Sequence, residues 1–171
     1  MSRYAPYYCE ENVWWLAQEP HWVDPSVVVV TNPSRTVAMS AQRASKDGTP
    51  VVWDYHVVLL DRGAVWDLDC VLGMPLPARR WIEASFDSRA PAHLAPRFRV
   101  LARETYVARF ASDRRHMRRP DGSWLVDPPP WPAIGGAHDL ERLLDLDDPS
   151  YGAWLDLLDF TSRATRPLRP Q

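Results

Sequence analysis

Apolar and polar positions along the chain fall into short periodic stretches separated by proline, glycine and charged turns. Residues 10–19 (EENVWWLAQE) carry acids in their first turn, where the helix dipole favours them, and Pro20 ends the run, so a helix is predicted there. Residues 26–31 (SVVVVT) are an uninterrupted β-branched run and read as a buried strand; 36–42 read as a second, shorter one. SKDGT (45–49) is a turn signal. Residues 50–60 (PVVWDYHVVLL) give the strongest strand pattern, Asp61-Arg62-Gly63-Ala64 turns the chain, and residues 65–68 return, which predicts a β-hairpin. Further on, 78–86 predict a helix, 97–102 a strand and 104–111 a short helix. Residues 112–136 show no period and centre on Pro128-Pro129-Pro130-Trp131-Pro132; so long an irregular stretch must wrap the body or line a site. Residues 139–146 and 150–163 have helical apolar spacing, and 166–171 read as a frayed tail.

Composition narrows the class. A chain of 171 residues has room for one domain, and 17 Pro with 9 Trp point to a loop-rich α/β domain whose loops are pinned by proline and aromatic packing. No apolar run approaches the roughly 20 residues of a membrane span, and the first residues lack an apolar signal core, so a cytoplasmic protein is expected. The net charge of −2 gives no general pull toward nucleic acid or anionic membrane. Cys9 and Cys70 make neither a disulfide framework nor a paired-cysteine zinc site, and His21, His93, His116 and His138 have no ligand spacing.

Candidate chemistry begins at Cys9. A cysteine at a helix start has its thiolate stabilised by free N–H groups and the dipole, although Glu10 and Glu11 push the other way, so a partner base is needed. Strand alternation puts Asp54, His56, Val58 and Leu60 on one face. With residues 62 and 63 at the hairpin tip, Asp69 falls opposite His56 and Asp67 diagonal to it; either could orient the imidazole, and spacing does not choose between them. Cysteine, histidine and aspartate follow one another in the order of a thiol acyl-transfer site of the papain kind.

The segments YYCEENVWWL (7–16), PVVWDYHVVLL (50–60), WDLDCVL (66–72), FRVLARETY (98–106), FASDRRHM (110–117) and PPPWP (128–132) resemble, in the same order, the protein N-terminal glutamine amidohydrolases. The blocks Y-C-E-E-N, W-D-Y-H and F-A-S-D-R-x-H-M carry the resemblance. It implies a papain- and transglutaminase-like α/β fold, a central antiparallel sheet with flanking helices, forming a single catalytic domain over 1–171 with 1–6 and 166–171 frayed. It matches the family's catalytic residues to Cys9, His56 and Asp67, the first acid of the D-L-D pair. The implied reaction is hydrolysis of the side-chain amide of an N-terminal Gln through a thioester, with no metal or cofactor, by a monomer acting on peptides or proteins. The substrate's free ammonium then needs an acid, for which Glu10, Asp54 and Asp113 are candidates. A protease or transglutaminase-like enzyme on another acyl substrate, or a non-enzymatic peptide-binding module, are the other classes the sequence leaves open. Cys70 reads as core, on the face opposite His56. The basic run Arg114–Arg119 reads as a solvated loop, and the Trp set as packing, with Trp53 or Trp131 as a potential wall of a substrate groove.

Overall fold

The structure, a computed structural model, describes residues 3–135 and 138–166. In chain order its elements are α1 (Cys9–Leu16), β1 (Pro25–Thr31), β2 (Val37–Met39), β3 (Val51–Trp53), β4 (His56–Asp61), β5 (Ala64–Trp66), β6 (Leu76–Pro77), α2 (Ala78–Ser85), β7 (Arg97–Ala102), α3 (Arg103–Arg109), α4 (Leu140–Leu144), β8 (Trp154–Leu155) and α5 (Leu157–Ala164). Six strands form an antiparallel sheet in the order β6-β5-β4-β1-β7-β8, and β2 and β3 form a separate ribbon. The mixed α/β class with a central antiparallel sheet is as the sequence implies.

Helices cover both faces of the sheet. On one side α1, α3 and α4 pack on Val27, Val29, Val57, Leu59 and Leu101. On the other, α2 and α5 pack on Val28, Val30, Val58, Leu60 and Phe98, with Phe160 stacked on Phe98 at 4.1 Å between ring centroids. This double covering explains the valine run. A strand with one wet face would alternate, but β1 has none, so all four valines are buried. Each contributes about 1.5–3 kcal/mol by leaving water.

The predicted hairpin is present with its tip at Arg62 and Gly63, both in the left-handed region as a two-residue type I′ turn requires, and Leu60 faces Val65. The strand predicted over 50–60 is broken. β3 pairs with β2, β4 joins the main sheet, and the chain changes sheets at Asp54-Tyr55. There Asp54 Oδ1 accepts the N–H of Tyr55 at 3.0 Å and its carbonyl accepts the Thr31 hydroxyl at 2.7 Å, local bonds that compete with a continuous ladder. The helix expected over 150–163 is shortened to α5, because Gly152 (φ 90°) breaks the run and Trp154 and Leu155 pair with β7. The edge strand β6, two residues long and ending in proline, had no periodic signal.

Residues 3–6, expected to fray, are tied down. The Arg3 guanidinium lies over the Trp15 ring at 3.5 Å, and Ala5 exchanges two 2.8 Å hydrogen bonds with the Asn12 side chain. Most of the tail predicted over 166–171 lies outside the described residues. The turn at 46–50 is exposed, with Gly48 at φ 70°.

Candidate active site

Cys9 is the first residue of α1. Ahead of it Tyr7 takes φ 68°, an unusual conformation for a bulky residue, and so turns the chain into the helix. The face of α1 carrying Cys9, Val13 and Leu16 packs on β4, which brings the thiol to the backbone N–H of Val57, a hydrogen bond that favours the thiolate. Burial outweighs it. Together with the charges of Glu10 and Asp69, burial pushes the Cys9 thiol well above its ordinary value. The helix start alone therefore does not supply a thiolate. Sγ lies 3.7 Å from Glu10 Oε2, the thiol donating.

His56 opens β4 and is buried. Its Nε2 is 2.9 Å from Asp67 Oδ1. The pairing that spacing left open goes to Asp67 because β5 ends at Trp66; the chain then turns, and the N–H of Asp69 folds back onto Asp67 Oδ1 at 3.0 Å. Asp67 Oδ2 accepts from Trp81 Nε1 at 3.0 Å and from Gln42 Nε2 at 3.2 Å. Burial would raise this carboxyl, but the charge and hydrogen bond of His56, with Trp81 and Gln42, hold it below its ordinary value. Burial likewise disfavours the imidazolium, yet the charge and hydrogen bond of Asp67, helped by Asp69 and Glu10, hold His56 above its ordinary value. The two form a buried, hydrogen-bonded histidine–carboxylate pair that leaves Nδ1 for other work.

Cys9 and His56 open onto one cavity of about 230 Å³, walled by Tyr7, Trp53, Asp54, Asp69, His116 and Leu125 among others. No hydrogen bond joins Cys9 to the imidazole. They share a wall, as catalytic pairs commonly do before substrate tightens them. Trp53 stacks on His56, 5.9 Å between centroids and 18° between planes, and Tyr7 meets Trp53 edge-on at 5.8 Å. Strict alternation would have put Trp53 and His56 on opposite faces; the sheet change at Asp54 brings them together.

The candidate acids separate. Asp54 lines the cavity, where burial lifts its carboxyl above the ordinary value against the N–H of Tyr55. Asp69 also lines it and accepts the Tyr4 hydroxyl at 2.7 Å. Glu10 is buried behind Cys9, with Oε1 at 3.5 Å from His116 Nε2. Asp113 is not brought to the cavity. It pairs with Arg115 at 2.8 Å, which holds its carboxyl at about 2, and lies 3.3 Å from His138. Glu11 is a structural anchor, gripped at 2.7 Å by two nitrogens of Arg114 and by Trp131 Nε1. Arg114, read as part of a solvated loop, is therefore buried, and Trp131 holds Glu11 instead of walling the cavity.

His56, Asp67 and Asp69 offer ligand atoms within 4.8 Å of one another, the grouping among the described residues to be weighed as a metal site. Each Asp67 oxygen already accepts two N–H donors, which leaves a cation no lone pair there. Cys70 is free and buried as expected, but it packs with Val58 and Leu60, the face of His56 and not the opposite one, because the turn at 67–70 breaks the alternation. Gln42, Trp81, Tyr55 and His116 were not singled out by sequence. Tyr55 and His116 do lie within the W-D-Y-H and F-A-S-D-R-x-H-M blocks, and Trp81 sits with Ala78, Ile82 and Ser85 on the inward face of α2.

The family model described as N-terminal glutamine amidase matches residues 4–164. The proteins called protein N-terminal glutamine amidohydrolase of Drosophila erecta and Drosophila melanogaster are 42% identical over 147 residues, covering 77% of this chain and 71% of theirs. That of Drosophila mojavensis is 40% identical over the same length.

Proposed function

The chain belongs to the N-terminal glutamine amidase family, and from that membership we propose that it hydrolyses the side-chain amide of an N-terminal Gln on peptides or proteins, giving N-terminal Glu and ammonia. The observation that carries the residue assignment is the shared cavity: a cysteine at a helix start and an aspartate-held histidine meet on its wall.

In this reading His56 Nδ1 takes the Cys9 proton as Sγ attacks the amide carbon. The oxyanion sits against N–H groups of the first turn of α1, which have no partner within the helix; that of Cys9 is the nearest. The C–N bond breaks as His56 returns the proton to the leaving nitrogen, and ammonia departs. Water then attacks the thioester, His56 acting as base, and Cys9 is released with the product carboxylate. Asp67 stabilises the imidazolium and fixes its tautomer through Nε2. The raised Cys9 thiol and raised His56 suit proton transfer during attack over a standing thiolate. The scheme calls for no metal or cofactor. Asp54 and Asp69 on the cavity wall, with Glu10 behind it, supply the negative field for the substrate's ammonium. The same reading takes α1 on β4 as the papain and transglutaminase arrangement, working as a cytoplasmic monomer.

The test uses peptides bearing N-terminal Gln, N-terminal Asn, acetylated N-terminal Gln and internal Gln, with ammonia and product mass as readouts. Ammonia from the free N-terminal Gln peptide alone, lost in Cys9→Ala and kept in Cys70→Ser, supports the reading. Peptide-bond cleavage, or transfer to an added amine in preference to water, overturns it in favour of another thiol acyl transferase.

A further inference from the structure

Two consecutive buried acids, Glu10 and Glu11, come directly after the proposed nucleophile. Each needs a compensating charge, because an unpaired buried carboxylate is costly. Arg114 satisfies Glu11 with two 2.7 Å bonds and gives a further N–H of Nη2 to the Trp131 carbonyl. Glu10 lies 3.7 Å from Cys9 Sγ through Oε2, and its Oε1 lacks a hydrogen-bond partner among the described residues. The cationic side chain nearest to it is His116, with Nε2 at 3.5 Å.

We propose that His116 is the charge-balancing residue of the site: as an imidazolium it neutralises Glu10 and so allows Cys9 to lose its proton beside a buried carboxylate. The proposal rests on Cys9 being the nucleophile, the reading given under Proposed function. It gives the thiol two acid–imidazole pairs, His56–Asp67 to exchange its proton and His116–Glu10 to set the field.

The surroundings of His116 fit this role. From α1 it faces Glu10, with Glu11 behind it already paired to Arg114. From the link between β3 and β4 it faces Asp54 and the Tyr55 hydroxyl, the latter 3.3 Å from Nε2. On its far side His138 stacks at 5.8 Å, with its own Nδ1 3.3 Å from Asp113, which also holds Arg115 of the His116 turn. Acids thus outnumber free cations around the ring. Burial presses His116 toward its neutral form, but the nearby carboxylate of Glu10, with Asp54 and Glu11, outweighs it and holds the imidazole above its ordinary value; burial holds His138 below its own.

The test reads the Cys9 thiol directly, without substrate. The rate of Cys9 carbamidomethylation by iodoacetamide is followed against pH on the full chain, with peptide mass separating Cys9 from Cys70, alongside kcat/KM on the Gln peptide. His116→Gln should move the ionisation of Cys9 upward by roughly one pH unit. Glu10→Gln should move it downward, and the double variant should return it toward the wild-type position. A His116→Gln protein with lowered rates but an unmoved ionisation, or a double variant that fails to restore it, overturns the proposal and leaves His116 a packing residue. If His116→Gln does not fold, as judged by circular dichroism, His116→Asn takes its place with the same expected upward shift. Because alkylation needs no amide substrate, failure of the amidase reading would show as absent ammonia with the thiol shifts intact.

Discussion

Four N–H donors converge on the carboxylate of Asp67, from Gln42, His56, Asp69 and Trp81. Only a group with acceptor capacity on both oxygens satisfies them all. Asparagine cannot, since its amide nitrogen would face two donors. Asp67→Asn should therefore lower kcat by about 10³–10⁴-fold, the scale at which losing the acid behind a catalytic histidine is felt, with the circular dichroism spectrum preserved. Asp69→Asn, whose Oδ1 can still accept the bond from Tyr4, should cost no more than about tenfold. A steady-state comparison of the two on an N-terminal Gln peptide checks this, and similar losses would refute it. Pairing rules brought both aspartates to His56, but the choice depended on where β5 stops, and a strand end set by a turn leaves no mark in a period of two.

Among the elements, α1 carries the nucleophile and is held from outside the sheet by Arg114 on Glu11. Removing the guanidinium leaves that carboxylate buried and unpaired, so Arg114→Met should cost about 3–5 kcal/mol of unfolding free energy. Adding Glu11→Gln should recover much of it. Urea denaturation of the two variants tests this, and an undiminished loss in the double would show that Arg114 acts through something other than Glu11. Local periodicity identified α1, β1, the hairpin and α2 because each buries a regular face. It missed the break at Asp54-Tyr55, where an aspartate side chain and a threonine hydroxyl from another strand redirect the backbone. The basic run 114–119 looked solvated for a similar reason: what buries Arg114 is an acid about a hundred positions away.

For the molecule as a whole, the His56–Asp67 pair ties stability to pH. Asp67 sits below its ordinary 3.8, so its contribution is fully present above that pH and is lost as pH falls through the lowered value. His56 sits above its ordinary 6.5, so its contribution is fully present below that pH and is lost as pH rises through the raised value. The gap in Tm between wild type and Asp67→Asn should be widest between pH 3.8 and 6.5 and narrow on either side. Thermal melts across pH 3–9 measure it, and a gap independent of pH would show that the pair is not charged in the folded protein.

The exposed turn at 46–50 contains Lys46, the single lysine of the chain. A lysine-specific endoprotease therefore has one site, and cutting there leaves a first fragment with Cys9 and β1 and a second with His56 and Asp67. The fragments would remain interleaved, because β1 stays inserted between β4 and β7 with both core layers closed over it. Nicked protein should retain its turnover while its melting temperature becomes dependent on concentration, as for any bimolecular assembly. The nick would thus divide the site into two complementing halves that can be labelled, exchanged or varied separately.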